Sequence, residues 1–182
     1  MNRGILAMSL LLACAASRVV PLSSLAHRFG KIAFDDLQSQ RGYRAWRAYG
    51  QSTLANLLFT FELQRRLAAA GAGTVAVAAH PGVSDTNLAG STGGLTGTLM
   101  SATKPLAKLF SQSSQMGALP TLRAAVDPAV RGGEYVGPDG FMEQRGHPQV
   151  VQASAAANDT AVAARLWDVT VELTGVPFQG LG

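Results

Sequence analysis

The chain has 182 residues, 47% of them hydrophobic and 14% charged, with a formal net charge of +4. That length and apolar mass suffice for one domain with a buried core, so a disordered or collagen-like chain is excluded. The charged share is below the usual value of roughly 25%, so much of the surface carries little charge or is covered, and the scattered Arg and Lys form no stripe with interleaved aromatics of the kind that reads nucleic acid.

In chain order, residues 3–14 read as an apolar helix. The stretch "ILAMSLLLACAAS" also fits a signal-peptide core, and "LLAC" resembles a lipoprotein cleavage box, so export remains an alternative to a cytoplasmic location. The run is too short for a membrane span of roughly twenty residues. Cys14 is the single cysteine, which rules out an internal disulfide or a paired-cysteine metal site. "RVVPLSS", Arg18 to Ser24, reads as a strand entering a loop, with Pro21 badly placed because it lacks a ladder N–H. His27, His80 and His147 show no ligand spacing, so no metal is expected, and Asp35 and Asp36 read as solvated turn residues.

From Tyr43 to Ala70 the pattern predicts a long helix with two apolar stripes, Leu54, Leu57, Leu58 and Phe61 on one and Phe59, Leu63 and Leu67 on the other. Two stripes imply burial against the sheet and against a neighbouring helix or subunit. "TVAVAAH", Thr74 to His80, is a continuous apolar run, the pattern of a strand covered on both faces, and it stops at the "HPG" turn. "AGSTGGLTGTLM" reads as a flexible lid or connector rather than a phosphate cradle, since it does not join the first strand to a helix. It leads to an apolar helix including Met116, Leu119, Leu122 and Val126, which Pro120 starts or kinks. A third strand is expected at "GEYVG", then a loop through "GPDGFMEQRGHP". The last helix should run from Asp159 to Thr174, with Asn158 as N-cap, an inner stripe of Val162, Leu166, Val169 and Leu173, and Gly175 and Pro177 as stop signals. Alternating helices and short apolar strands indicate an α/β fold with a parallel sheet of about three strands.

Three motifs fall in one order: Ser24 at a strand end, Tyr49 opening the long helix in Y-x-x-S-x-x-A-N, and Pro81–Gly82 closing the next strand. With them the chain resembles the short-chain dehydrogenase/reductase family, and within it the retinol-dehydrogenase-like branch, whose longer serine-to-tyrosine spacing the 25-residue interval here matches. The resemblance implies part of a Rossmann-like doubly wound sheet and hydride transfer between NAD or NADP and a hydrophobic alcohol or carbonyl. It implies that the Ser24 hydroxyl holds the substrate oxygen and that Tyr49 passes a proton to it. Pro81, Gly82, the backbone near Ser84 and the Thr86 hydroxyl would line the nicotinamide pocket.

Two departures from the family pattern shape the expectation. Where the family has Y-x-x-x-K, this chain has Thr53, one helical turn from Tyr49. A phenol in water titrates near pH 10, and a unit charge about 4 Å away at an effective dielectric near 20 is worth up to about 4 kcal/mol; threonine supplies none of it. The resemblance also begins after the family's first strand and T-G-x-x-x-G-I-G loop. Gly4 matches the glycine of the family's N-x-x-G motif, with Asn2 beside the expected asparagine position. Residues 1–182 are therefore expected to form one truncated domain, the catalytic and substrate-binding portion without the dinucleotide-binding half, with weak or no activity. The competing expectations are a non-catalytic module that pairs through helix 43–70 with itself or an intact homologue, and an exported lipoprotein.

Overall fold

The computed structural model describes Leu11, Cys14, residues 16–83, residues 111–176 and Phe178. The first helix beyond Leu11 and Cys14, the glycine-rich stretch, Ser84 and Thr86 lie outside these residues.

The fold is organised around a long helix, α1 (Ala45–Ala69). Its sequence is dominated by Ala, Leu, Gln and Arg, which lose little freedom in a helix, and Gly71 follows it at φ +63, a conformation glycine adopts without cost. Leu54, Leu57 and Leu58 are fully or nearly buried in one core with Ala78, Tyr135, Ala163 and Leu166. Leu63 and Leu67 form a second core with Ala76 and Trp167. The partner of the second stripe is thus a helix of the same chain, α3 (Thr160–Thr174), where the Phe59 and Trp167 rings stack at 5.5 Å.

Five short strands make the sheet: β1 (Arg18–Val19), β2 (Val75–Ala76), β3 (Ala78–Ala79), β4 (Tyr135–Pro138) and β5 (Pro148–Val150). β1 pairs parallel with β2, β3 parallel with β4, and β4 antiparallel with β5. Backbone bonds continue between the assigned segments. The Val75, Val77 and Ala79 N–H groups donate to the Ser17, Val19 and Pro21 carbonyls at 3.0, 3.0 and 3.2 Å, and the Ser23 N–H donates to Ala79 at 2.8 Å. Residues 17–23 therefore run beside 75–79 as one ladder. Pro21 has no N–H to return, so β1 stops at Val19, and pairing resumes at the Leu22–Ala79 bridge. Side chains alternate across the central strand: Ala76 and Ala78 face the cores built on α1, whereas Val77 and Ala79 pack with Ala124, Val130 and Val136 beneath α2 (Ser114–Val126). Coverage of both faces explains the unbroken apolar run, and the architecture is that of a Rossmann-like doubly wound sheet.

Several expectations need correction. The third strand begins at Tyr135 and is followed by an antiparallel partner, β5, that starts at the last residue of the expected loop. Pro120 does not start its helix: α2 begins six residues earlier, capped by the Ser113 hydroxyl, and buries Gly117, Pro120 and Ala124 while Leu122 and Val126 are exposed. Small residues on the inner face let α2 approach the sheet closely. On α3 the cap is Asp159, whose carboxylate accepts from the Val162 N–H at 2.9 Å, because the Asn158 amide is engaged with the Ser154 carbonyl. Its buried face is Ala163, Leu166 and Trp167, rotated from the expected stripe, and Leu173 is exposed. Asp35 and Asp36 do form a surface turn, with the Gln40 and Arg41 N–H groups donating to Asp36. Among the described residues no helix is long and apolar enough to cross a membrane.

The 3-10 turn Leu25–Phe29 and Gly30 lie directly against α1. A Cβ on Gly30 would overlap the Gly50 carbonyl and approach Leu54, whereas one on Gly42 meets nothing. Gly30→Ala should lower stability by about 1–3 kcal/mol through overpacking, and Gly42→Ala should stay within about 0.5 kcal/mol of the unaltered chain. Urea denaturation of the two variants checks the contrast.

Candidate active site

The end of the first ladder is fastened to α1 by two polar contacts. The Ser23 hydroxyl donates to the Thr53 carbonyl at 2.9 Å, and the Asn56 amide donates to the Leu22 carbonyl at 2.7 Å. Ser24, the next residue, follows this attachment to the helix that also carries Tyr49. The Ser24 hydroxyl accepts from the Ala26 N–H at 3.3 Å, capping the 3-10 turn, and keeps its own proton free to donate. The half-buried Tyr49 hydroxyl makes no hydrogen bond among the described residues, and its ring meets Trp46 edge-on at 6.2 Å.

Thr53 is turned away from any such role. It is 5% exposed, and its hydroxyl donates back to the Tyr49 and Gly50 carbonyls, each at 3.1 Å. It acts as a back-bonded threonine within its own helix.

The HPG turn closes the other side. Gly82 sits at φ +66, and a Cβ there would overlap the Gln144 carbonyl. Its N–H donates to His80 Nδ1 at 3.2 Å. A ring nitrogen that accepts carries no proton, so the His80 proton is on Nε2, which donates to Glu143 Oε2 at 3.1 Å. Arg28 donates to the other carboxylate oxygen at 2.7 Å. His27 is fixed in the opposite tautomer: Nδ1–H donates to the Ser24 carbonyl at 2.7 Å, and Nε2 accepts from the Ser154 N–H at 3.1 Å. Both rings flank Tyr135, at 5.6 and 5.0 Å between centroids.

Burial governs the ionisation of this cluster. Removal from water, aided by the nearby Arg28 guanidinium, pulls the His80 pKa down to about 4, and burial likewise lowers that of His27. Burial pushes the Tyr135 phenol far up, so it stays protonated, and its oxygen makes no hydrogen bond among the described residues. A Cβ on Gly137 would strike the His80 ring, so glycine there makes room for the histidine.

Of the six residues expected in the site, Ser24, Tyr49, Pro81 and Gly82 are described, on three elements joined by the contacts above; Ser84 and Thr86 are not among the described residues. Sequence reading missed Ser23, Arg28, Tyr135 and Glu143. The available signal was His80 directly before the turn, with Gly137, Gly140 and Gly146 marking tight packing around Glu143.

Comparison with known proteins found no matching family model. The chain is 37% identical over 165 residues to retinol dehydrogenase 11 of Homo sapiens, covering 91% of this chain and 48% of that protein. It is 41% identical over 169 residues to human retinol dehydrogenase 13, covering 90% and 47%, and 35% identical over 177 residues to human retinol dehydrogenase 14, covering 94% and 48%. The chain thus spans about half the length of the curated relatives it matches. A crystal structure of an uncharacterised protein from Mycobacterium paratuberculosis is 40% identical, with a TM-score of 0.72, covering 96% of this chain and 56% of the other.

The histidine cluster fixes a pH dependence of folding. His80 has a folded pKa of about 4, below the unfolded value of about 6.5, so the unfolded chain takes up the proton first. The contribution of neutral His80 is complete above pH ~6.5 and is lost as pH falls toward 4, by up to about 3 kcal/mol. Urea denaturation between pH 7 and 4.5 should show this decline. His80→Gln should be less stable at pH 7 but decline less steeply; parallel curves would contradict the assignment.

Proposed function

This chain belongs to the short-chain dehydrogenase/reductase family, in its retinol-dehydrogenase-like branch, and from that premise we propose that it carries the substrate-facing part of an NAD(P)-dependent oxidoreductase site for a hydrophobic alcohol or carbonyl. The observation that supports the reading is the hydrogen bond tying Ser23, the neighbour of Ser24, to the Thr53 carbonyl on the helix that bears Tyr49, with a free donor on the Ser24 hydroxyl and no partner for the Tyr49 hydroxyl among the described residues.

The residues fit a nicotinamide at one end only. The backbone of Pro81 and Gly82 closes a strand at its carboxyl end, where open α/β sheets bind ligands. Position 53 does not fit a ribose, because the Thr53 hydroxyl is spent on its own helix. When bound, the nicotinamide supplies or accepts the hydride. The chain's part is to handle the oxygen: the Ser24 O–H donates to it and orients it, and the Tyr49 hydroxyl gives it a proton in reduction or takes one in oxidation. The half-exposed Trp46 beside Tyr49 offers apolar surface to a substrate of this class.

Without a cation at position 53 the proton transfer lacks charge assistance, so slow turnover is expected. NADH and NADPH are the two candidate cofactors. Purified chain titrated with each, following cofactor fluorescence, should bind one of them and slowly reduce a long-chain aldehyde. Tyr49→Phe should cut that turnover by about 100-fold or more while cofactor affinity stays within about twofold. Turnover unaffected by Tyr49→Phe would refute the role given to the tyrosine.

A further inference from the structure

One carboxylate reaches both sides of the candidate site. Arg28 belongs to the 3-10 turn that Ser24 caps, and His80 opens the turn that holds Pro81 and Gly82. Glu143 accepts from both, with one oxygen for each, and comes from a third segment between β4 and β5. The same segment grips the turn through its backbone: the Val83 N–H donates to the Gln144 carbonyl at 2.7 Å, and the Gly146 N–H donates to the side chain of Gln112, whose amide donates to the Pro81 carbonyl at 2.8 Å.

The backbone at Glu143 is unusual. Met142 and Glu143 lie at φ 52 and 57, two successive side-chain-bearing residues in the left-handed region. Such a conformation persists only where contacts hold it. The adjacent apolar side chains do not: Phe141 and Met142 are 80% and 58% exposed. What holds the segment on the side-chain side is the carboxylate.

We propose that Glu143 is a positioning residue that locks the His80–Gly82 turn to the Ser24-bearing turn, acting through the His80 ring and Arg28. The chain of contacts is short. The carboxylate accepts a hydrogen bond from the Nε2–H of His80, which keeps the proton there and leaves Nδ1 bare to accept the Gly82 N–H, so fixing the backbone of the turn. Arg28, Tyr135 and His27 are the other charged or titratable groups around that ring. Its bearing on nicotinamide binding rests on the function proposed above; the lock itself does not.

The test uses the full chain with nitrogen-15-labelled histidine at pH 7.5. In the unaltered protein, His80 should show a single tautomer with the proton on Nε2, and the Gly82 amide should exchange slowly. Glu143→Ala should shift the His80 ring nitrogens toward tautomer averaging and speed Gly82 exchange by about tenfold or more, with the Val77 and Ala79 ladder amides unchanged within about twofold. Glu143→Gln, nearly isosteric, should give a smaller change of the same kind, and it decides the matter if the alanine variant does not fold. Unchanged His80 and Gly82 signals in the variants would overturn the proposal, as would an equal acceleration of the ladder amides. Cofactor titration of the same samples separates the two claims. Loss of the ring and amide signatures in a chain whose unaltered form binds neither NADH nor NADPH refutes the oxidoreductase reading and leaves the lock standing.

Discussion

The hydrogen bond from the Ser23 hydroxyl to the Thr53 carbonyl is the contact on which the site depends. A carbonyl in the middle of a helix is already an acceptor for the helix, so its second lone pair is a fixed point on a rigid rod. By binding there, Ser23 sets the depth and register of the strand end, and Asn56 repeats the attachment three residues along. Ser24 follows directly, capping the 3-10 turn that lies against the same helix. The close approach of Gly30 to Gly50 completes the attachment, because any side chain at position 30 would push the turn off the helix.

Burial and polarity are reconciled in an orderly way around this contact. The two buried histidines stay neutral because each ring accepts a backbone N–H on one nitrogen and donates from the other. Protonating either would set two donors against each other, in addition to the desolvation already opposing the charge. On the far part of α1 the reverse holds. Burial alone would raise the pKa of Glu62, but hydrogen bonds from Arg65 and Arg66 bring it below its ordinary value. Arg66 also lies over the Trp167 ring at 4.6 Å, so the ion pair helps seat α3 as well.

Much of this was legible in the sequence, for physical reasons. Both stripes of α1 follow from periodicity, and the two-sided burial of residues 74–80 follows from their unbroken apolar run. The illegible part was whatever depends on tertiary partners. Leu173 fits a helical stripe but faces solvent, because Ala163 and Trp167 decide the rotation of α3. Pro120 looks like a breaker, yet it is buried in a helix whose inner face is made of small residues. Glu143 was the hardest to find: beyond the glycines around it, its loop offers no periodicity, and its partners lie 115 and 63 residues away.

The central claim is that Ser24 and Tyr49 serve one substrate oxygen, and a double-mutant cycle on turnover tests it most directly. If both hydroxyls act on the same atom, Ser24→Ala combined with Tyr49→Phe should lose little more than Tyr49→Phe alone, since the serine has nothing to orient once the proton donor is gone. Losses that multiply in full would mean that the two residues act independently, and the site as described here would be wrong.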